Sequence, residues 1–428
     1  MRSFGVWLAA ALTPLIGIAS FLCLVTPRIT VVALALFALV ILSLALLEGS
    51  RLRDLITPDL GFWLFVGTGV YLAINATWSE DLGRALNKAV LFILFALLSI
   101  GTVRAVLAWP EERARRAARG FVIGVALGSL YLFIEVISDQ ILVRGLFNLL
   151  PFTRPGDFKG MVVEDGVILS IRLAELNRGI ALLLMSLWPV LLCVVGRRRG
   201  LQGWLIGGAV FAYATFIILA SEHNTSQMAI VVTLVAFLAA YFFPRPSWLA
   251  VTAAWCLSFV VVVPLAITAY QADLHHAKWL PYSAQARIVL WSYTAHAVPD
   301  APVLGIGGSS SRAMAAEPEA IAKAKAAKEE GKAYAWQAGP HAHNQYLQAW
   351  YELGLVGVVL VLASGAWVLW IIGRLPDAQL PYMVAHFAAF AALSASAWGM
   401  WQTWLMALPG LAAVYGAIAV AATRKPAA

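Results

Sequence analysis

Residues 339–357 read GPHAHNQYLQAWYELGLVG and place His341, His343, Asn344, Gln345 and Gln348 where a polar stretch gives way to a long apolar run. Hydrocarbon disfavours such groups, so a cluster of them at a membrane boundary points to chemistry there. Pro340 suits the first turn of a helix, because its missing N–H would be unpaired there anyway. That helix end carries a partial positive charge and free N–H groups, which attract phosphate. The same field disfavours imidazolium, so a histidine beside it stays neutral and able to accept a proton. Taken singly, these side chains read equally well as helix caps or interface residues; their clustering favours a site. Two imidazoles in HAH, with His275 and His276 earlier in the same polar stretch, raise the question of a metal. Zinc needs three or four protein ligands, and the nearby carboxylates fall at no recognisable spacing, so no metal or other cofactor is expected.

Arginines supply the matching half of an anion site. Arg287 lies in SAQARIVLWSYTAHAVPDAPVLGIGGSSSR, Arg172 and Arg178 in SIRLAELNRGIALLL, and Arg84 and Lys88 in NATWSEDLGRALNK. A guanidinium presents a planar fork of donors that fits phosphate oxygens. For each of these cations alone, an interfacial side chain with its head in water is the simpler reading. Together they suit a phosphate or pyrophosphate carried on a lipid.

The elements that position these residues are membrane helices. The chain has 428 residues, 61% hydrophobic and 12% charged, with mean hydropathy +0.82; soluble domains carry about 25% charged residues. The predicted fold is an all-α integral membrane protein with about twelve helices of the length that crosses ~30 Å of hydrocarbon. They fall near 5–25, 29–48, 59–76, 87–108, 118–138, 178–196, 202–220, 226–243, 248–269, 344–372, 380–397 and 403–422. The first run lacks a small-residue cleavage site before a polar domain and reads as a retained helix. Cys23, Cys193 and Cys256 all lie in apolar runs and imply neither a disulfide nor a metal. The domain reading is nine spans over 1–269 with a medium loop at 139–177, a large loop or cap over 270–343, and three spans over 344–428.

A net charge of +8 could suggest nucleic acid, but its distribution argues otherwise. Arg51, Arg53, Arg113, Arg115, Arg116, Arg119, Arg197, Arg198, Arg199, Arg245, Arg374, Arg424 and Lys425 all fall in connections on one side of a twelve-span chain. The positive-inside rule makes that side cytoplasmic. Both termini are then inside, and the two long loops, with the histidines, face the periplasm of a Gram-negative bacterium. The alanine-rich stretch 312–335 reads as a solvated helix or a cap over the site.

The chain resembles the O-antigen ligase family, within the group of membrane ligases and polymerases that use undecaprenyl-diphosphate sugars. HAHNQYLQAWYELGLVG, ARIVLWSYTAHAVPDAPVLGIG, NATWSED and the large loop before the tenth span carry the likeness. Relatives often have a Ser-Arg pair at the turn between spans seven and eight, whereas this chain has SEHNTSQMA, and Gln227 cannot supply that charge. The resemblance implies a GT-C-like membrane enzyme in the bacterial inner membrane. It would move a glycan from undecaprenyl diphosphate to a sugar hydroxyl of lipid A–core. Such a reaction needs a base for the hydroxyl, for which His343 is suited, and charge stabilisation of the departing pyrophosphate by Arg287 and its neighbours. His341, Asn344 and Gln345 would orient the base or the acceptor. With no candidate nucleophile on the enzyme, displacement in one step would invert the anomeric carbon.

Three other readings remain. An O-antigen polymerase or a protein O-oligosaccharyltransferase would use the same donor with another acceptor. A lipid-linked sugar transporter would also want external arginines, but it should line a path with charge through both leaflets. Here intramembrane acids are sparse, Glu135 being the clearest, and the polar groups cluster externally, which favours an enzyme.

Overall fold

Inside hydrocarbon every backbone N–H and C=O must be satisfied within its own segment, so apolar runs of this length form helices. The computed structural model describes residues 2–154, 160–196 and 200–424. Arg197, Arg198, Arg199 and Lys425, part of the basic series, lie outside the described residues. Among the described residues eleven helices are long and apolar enough to span a membrane. They match the sequence expectation at every position but one. That one, Leu380–Ser396, is apolar but only 17 residues long, about 26 Å at 1.5 Å per residue. It is buried along most of its length, including Val384, Ala385 and Ala389.

Burial sorts the helices. The segments Leu173–Val195 and Thr403–Ala422 are 83% and 78% buried, against 22% for Leu201–Leu219 and Pro244–Gln271. The first two form the axis of the bundle and the others its rim. One core surrounds the stacked rings of Phe121 and Tyr415, 4.3 Å apart. A second gathers Trp255, Phe259, Tyr346 and Phe387. Small residues permit the closest crossing, between the helices Arg2–Val25 and Glu111–Ile137. A Cβ on Gly124 would lie 2.1 Å from the Gly17 carbonyl oxygen, and one on Gly120 would lie 2.3 Å from that of Thr13. Glycines spaced by four along one face let backbones meet this way in lipid.

The connections segregate to two ends. At one end Arg113 pairs with Glu48, Arg104 with Asp59, Arg245 with the Gly373 carbonyl, and Arg424 with the Leu107 carbonyl. At the other lie residues 75–88, 221–227, 272–344 and 396–403, joined by the contacts described below. The medium loop holds a helix, Ile141–Leu149, and an antiparallel hairpin, Met161–Glu164 with Val167–Ile171. Asp165 and Gly166 turn it, both with positive φ as a tight two-residue hairpin requires. Glu135 is explained here: its carboxylate accepts the backbone N–H of Leu142 at 2.9 Å and caps the short helix. It is a helix cap, and nothing marks it as a station on a charged path. The alanine-rich stretch forms the helix Pro318–Glu329, mostly exposed, as the sequence predicts.

Candidate active site

The tenth span starts at Gln345, later than Pro340 suggested. Asn344 is the cap: its side-chain oxygen accepts the Leu347 N–H at 3.0 Å. Pro340, His341, Ala342 and His343 therefore precede the helix as a non-helical segment. His343 itself has φ +53, a conformation that costs a non-glycine residue energy and recurs at functional sites. The helix passes through a π turn, Ala349–Leu353, before continuing as Gly354–Ile372.

Three quoted motifs converge behind this segment. Asn75, fully buried, donates to the carbonyls of Leu304 at 2.9 Å and Glu352 at 3.2 Å, and accepts the Gly308 N–H at 2.7 Å. Trp78 donates to the Gly305 carbonyl and Ser79 to that of Gly308. Glu352 accepts the Ser309 N–H at 2.9 Å, and the Ser311 hydroxyl and Trp401 indole also donate to it. Gly305 and Gly354 have positive φ, and a Cβ on either would fall 2.4 Å from the other strand of this crossing. The glycines in VLGIGG and YELG thus exist to let two backbones touch. NATWSED and Glu352 build the scaffold.

The candidate site residues lie beside that scaffold. His343 Nδ1 lies 2.6 Å from the Ala397 carbonyl oxygen. A carbonyl only accepts, so Nδ1 carries the proton and Nε2 is the basic nitrogen. Burial lowers the His343 pKa below the ordinary histidine value, the carbonyl opposes this, and the Arg287 charge lowers it further. Its ring stands 4.1 Å from that of His341. His341 is pushed down to about 3, by burial first and then by His343 and Arg312. Its Nε2 is buried without a hydrogen-bond partner, while Gly399 opposite leaves room for the ring. For both imidazoles burial is the largest cause of the lowered pKa, and it favours the neutral ring.

Arg287 comes from the helix Tyr282–Ala297 and donates to the Ser396 hydroxyl at 3.0 Å. Its charge reaches His341, His343 and also His223. His223 is a member that sequence reasoning passed over. It is buried, stacks on Trp398 at 4.9 Å, shares a 2.7 Å hydrogen bond with Ser226, and is held down to about 3 by burial and Arg287. Arg312, at the end of GIGGSSSR, was quoted without a role; it stands within electrostatic reach of both His341 and Lys88. The turn SAWGMWQT supplies Ser396, Ala397, Trp398, Gly399 and Trp401 to this cluster.

The remaining expected residues divide. Lys88 donates to Thr403 at 2.9 Å and lines a small pocket with Ser309 and Trp401. Arg84 is exposed, and its Nε donates to Asp81 at 2.8 Å, so its charge is paired with a carboxylate. Gln345 is partly exposed beside the cap. Arg172 packs over Gly160, and Arg178, its Nε buried without a partner, neighbours Arg28 and Glu175. Among the described residues no hydrogen bond or ion pair joins Arg172 or Arg178 to His343 or Arg287.

Residues 209–362, which include Arg287, both site histidines and the π turn, match the family described as O-antigen ligase. A protein of Rickettsia conorii is 22% identical over 256 residues, 59% of this chain and 54% of its own length. One of Rickettsia felis is 24% identical over 287 residues, 65% of this chain and 61% of its own. Both are named "Putative polysaccharide ligase". The chain thus spans little more than half the length of these curated relatives.

Proposed function

The chain matches the O-antigen ligase family at the level of the family, and from that premise we propose that it is a membrane glycosyltransferase. It transfers O-antigen glycan as a block from undecaprenyl diphosphate to a sugar hydroxyl of lipid A–core, at the periplasmic face of the bacterial inner membrane. The basic end of the bundle is then cytoplasmic, with both termini, and 270–343 forms a periplasmic cap between spans 1–269 and 344–428.

The observation that carries the reading is the 2.6 Å contact between His343 Nδ1 and the Ala397 carbonyl, with burial first and the Arg287 charge after it lowering the pKa of the ring. His343 Nε2 accepts the proton of the attacking hydroxyl. The oxygen bonds the anomeric carbon as the bond to pyrophosphate breaks, with inversion. Arg287, whose hydrogen-bond partner is a hydroxyl, keeps donors for the departing oxygens; Arg312 and Lys88 extend the positive wall. Arg172 and Arg178 are assigned to the donor's outer reach. Pyrophosphate is already a good leaving group, so cations fixed in the protein suffice for it. The test is reconstitution of the purified chain with undecaprenyl-diphosphate glycan and lipid A–core, with and without EDTA. Glycan on lipid A–core in both supports the proposal. Glycan extended on the donor lipid would make the chain a polymerase, and transfer restored only by a divalent ion would sink the metal-free step.

A further inference from the structure

A second histidine pair lies just past the end of the helix Pro244–Gln271. Asp273 takes a left-handed φ of +56 and sends the chain into a single 3-10 turn, Leu274–His276. That reversal brings the Asp273 carboxylate 2.7 Å from His276 Nδ1 and 3.6 Å from His275 Nε2. One ligand atom from each of the three residues lies within 4.8 Å of the other two. The sequence offers His275 and His276 as metal candidates but hides their carboxylate, because Asp273 precedes the histidines and needs a left-handed φ to fold back.

The His275 ring is poorly satisfied as it stands. Its side chain is 12% exposed, its Nδ1 is buried without a partner, and its Nε2 makes only the 3.6 Å approach. Stacking on Tyr270, at 4.2 Å and 10°, fixes the ring plane. Tyr270 in turn meets Trp336, 4.9 Å away on the facing segment. His275 and His276 also line a cavity of about 620 Å³ whose far wall carries Lys323, Glu330, Lys332 and Trp336. Both lysines are ion-paired, Lys332 with Glu330 at 2.6 Å and Lys323 with Glu319 at 2.8 Å, so that wall presents little unbalanced positive charge.

We propose that Asp273, His275 and His276 form a binding site for one divalent transition-metal ion of the zinc type, with its fourth position open to the cavity. Two imidazole nitrogens and one carboxylate oxygen are a zinc-like donor set; magnesium and calcium want oxygen throughout. Tetrahedral zinc with bonds of about 2.0–2.2 Å sets its ligand atoms ~3.3 Å apart. The Asp273–His276 contact has to open slightly and the Asp273–His275 contact to close, both small side-chain rotations. The ion gives His275 Nε2 a strong partner and fixes the turn, and through Tyr270 and Trp336 it steadies the cavity wall. Among the described residues no hydrogen bond or ion pair joins these three residues to His343, so the ion is given no part in the transfer step.

The experiment uses tag-free full-length protein in detergent, stripped with EDTA and titrated with Zn²⁺ against a chromophoric chelator, and with Co²⁺ by visible absorption. One equivalent should bind per chain, with the intense absorption of four-coordinate Co²⁺. His276→Gln keeps a hydrogen-bonding group at an exposed position and leaves the His275 stack intact. Its affinity should fall by more than the roughly tenfold that even an outer partner costs. His275→Ala with His276→Ala should abolish the site, while His341→Ala with His343→Ala should leave it unchanged. Failure of the wild type to take up one equivalent overturns the proposal. So does uptake that survives loss of His275 and His276, or that disappears with His341 and His343. A failed ligase assay leaves these binding results untouched, so the two readings fall separately.

Discussion

The two histidine pairs of this protein stand on like ground and differ in every neighbour that matters. His341 and His343 are enclosed, beside Arg287 and Arg312, with a carbonyl as partner. His275 and His276 are near solvent beside Asp273, with an open cavity in front. A cationic, desolvated setting repels metal ions and strips a histidine of its proton, which makes a base. An anionic, wetter setting welcomes a cation. Residue type therefore says little about role until the charge and water around it are known.

That contrast is broken most directly at His343. If it is the base, His343→Ala should lower turnover by roughly 10²–10⁴-fold. His343→Gln, which keeps reach but cannot take the proton, should fail with it. Donor binding should persist in both, because the arginines hold the diphosphate. Turnover and donor affinity measured together decide: an active His343→Gln would leave the ring only a positioning role, and lost donor binding in His343→Ala would make it a diphosphate ligand.

Arg287 comes next. Removing a preorganised donor from a developing oxyanion costs about 10²–10³ in turnover, so Arg287→Ala should be nearly inactive. Arg287→Lys, with charge but no fork, should fall between. Turnover near wild type in Arg287→Ala would reduce the residue to an interface anchor.

The pH profile sharpens the same point. An ordinary histidine is half protonated near about pH 6.5. The His343 pKa is lowered, so its base form persists as pH falls through that value and is lost only below it. The acidic limb of kcat/KM for wild type should therefore lie below the ordinary histidine range. A limb at or above that range would mean that His343 is not the group being read.

Much of this was legible because the bilayer leaves few choices. Apolar runs of about 20 residues fix helices, and among the described residues eleven of the twelve expected spans appear at full length, while Leu380–Ser396 is a buried helix of 17 residues. The site was legible where chemistry-bearing types cluster within one motif, as in HAHN, or fall in one quoted segment, as with Arg287. It was illegible where folding supplies the partner. Ser396 and Ala397 are unremarkable as letters, and only the end of a short buried helix puts their oxygens beside Arg287 and His343. His223 reads as a turn residue until Trp398 and Arg287 surround it. Nor could the letters show that the Arg84 side chain pairs with Asp81.

Arg84 supplies the smallest expected effect and the finest test of the contrast between settings. Its Nε donates to Asp81, whose backbone role is to accept the Arg84 N–H at 2.9 Å and start the helix Leu82–Leu107. Those two hydrogen bonds from Arg84 hold the Asp81 carboxyl below the usual carboxylate range. With its charge paired to a carboxylate and exposed to water, this guanidinium should add little to pyrophosphate binding, and an exposed pair of this kind is worth only ~0.2–1 kcal/mol. Arg84→Gln should therefore leave donor KM and kcat close to wild type and lower thermal stability slightly. The matching substitution Asp81→Asn should cost no less, since it weakens the cap as well as the pair. If Arg84→Gln instead raised donor KM about tenfold, equivalent to ~1.4 kcal/mol of binding, then donor binding draws the side chain off Asp81. The positive wall would then extend to the external end of the fourth span, and Asp81→Asn, by freeing the arginine, should tighten donor binding.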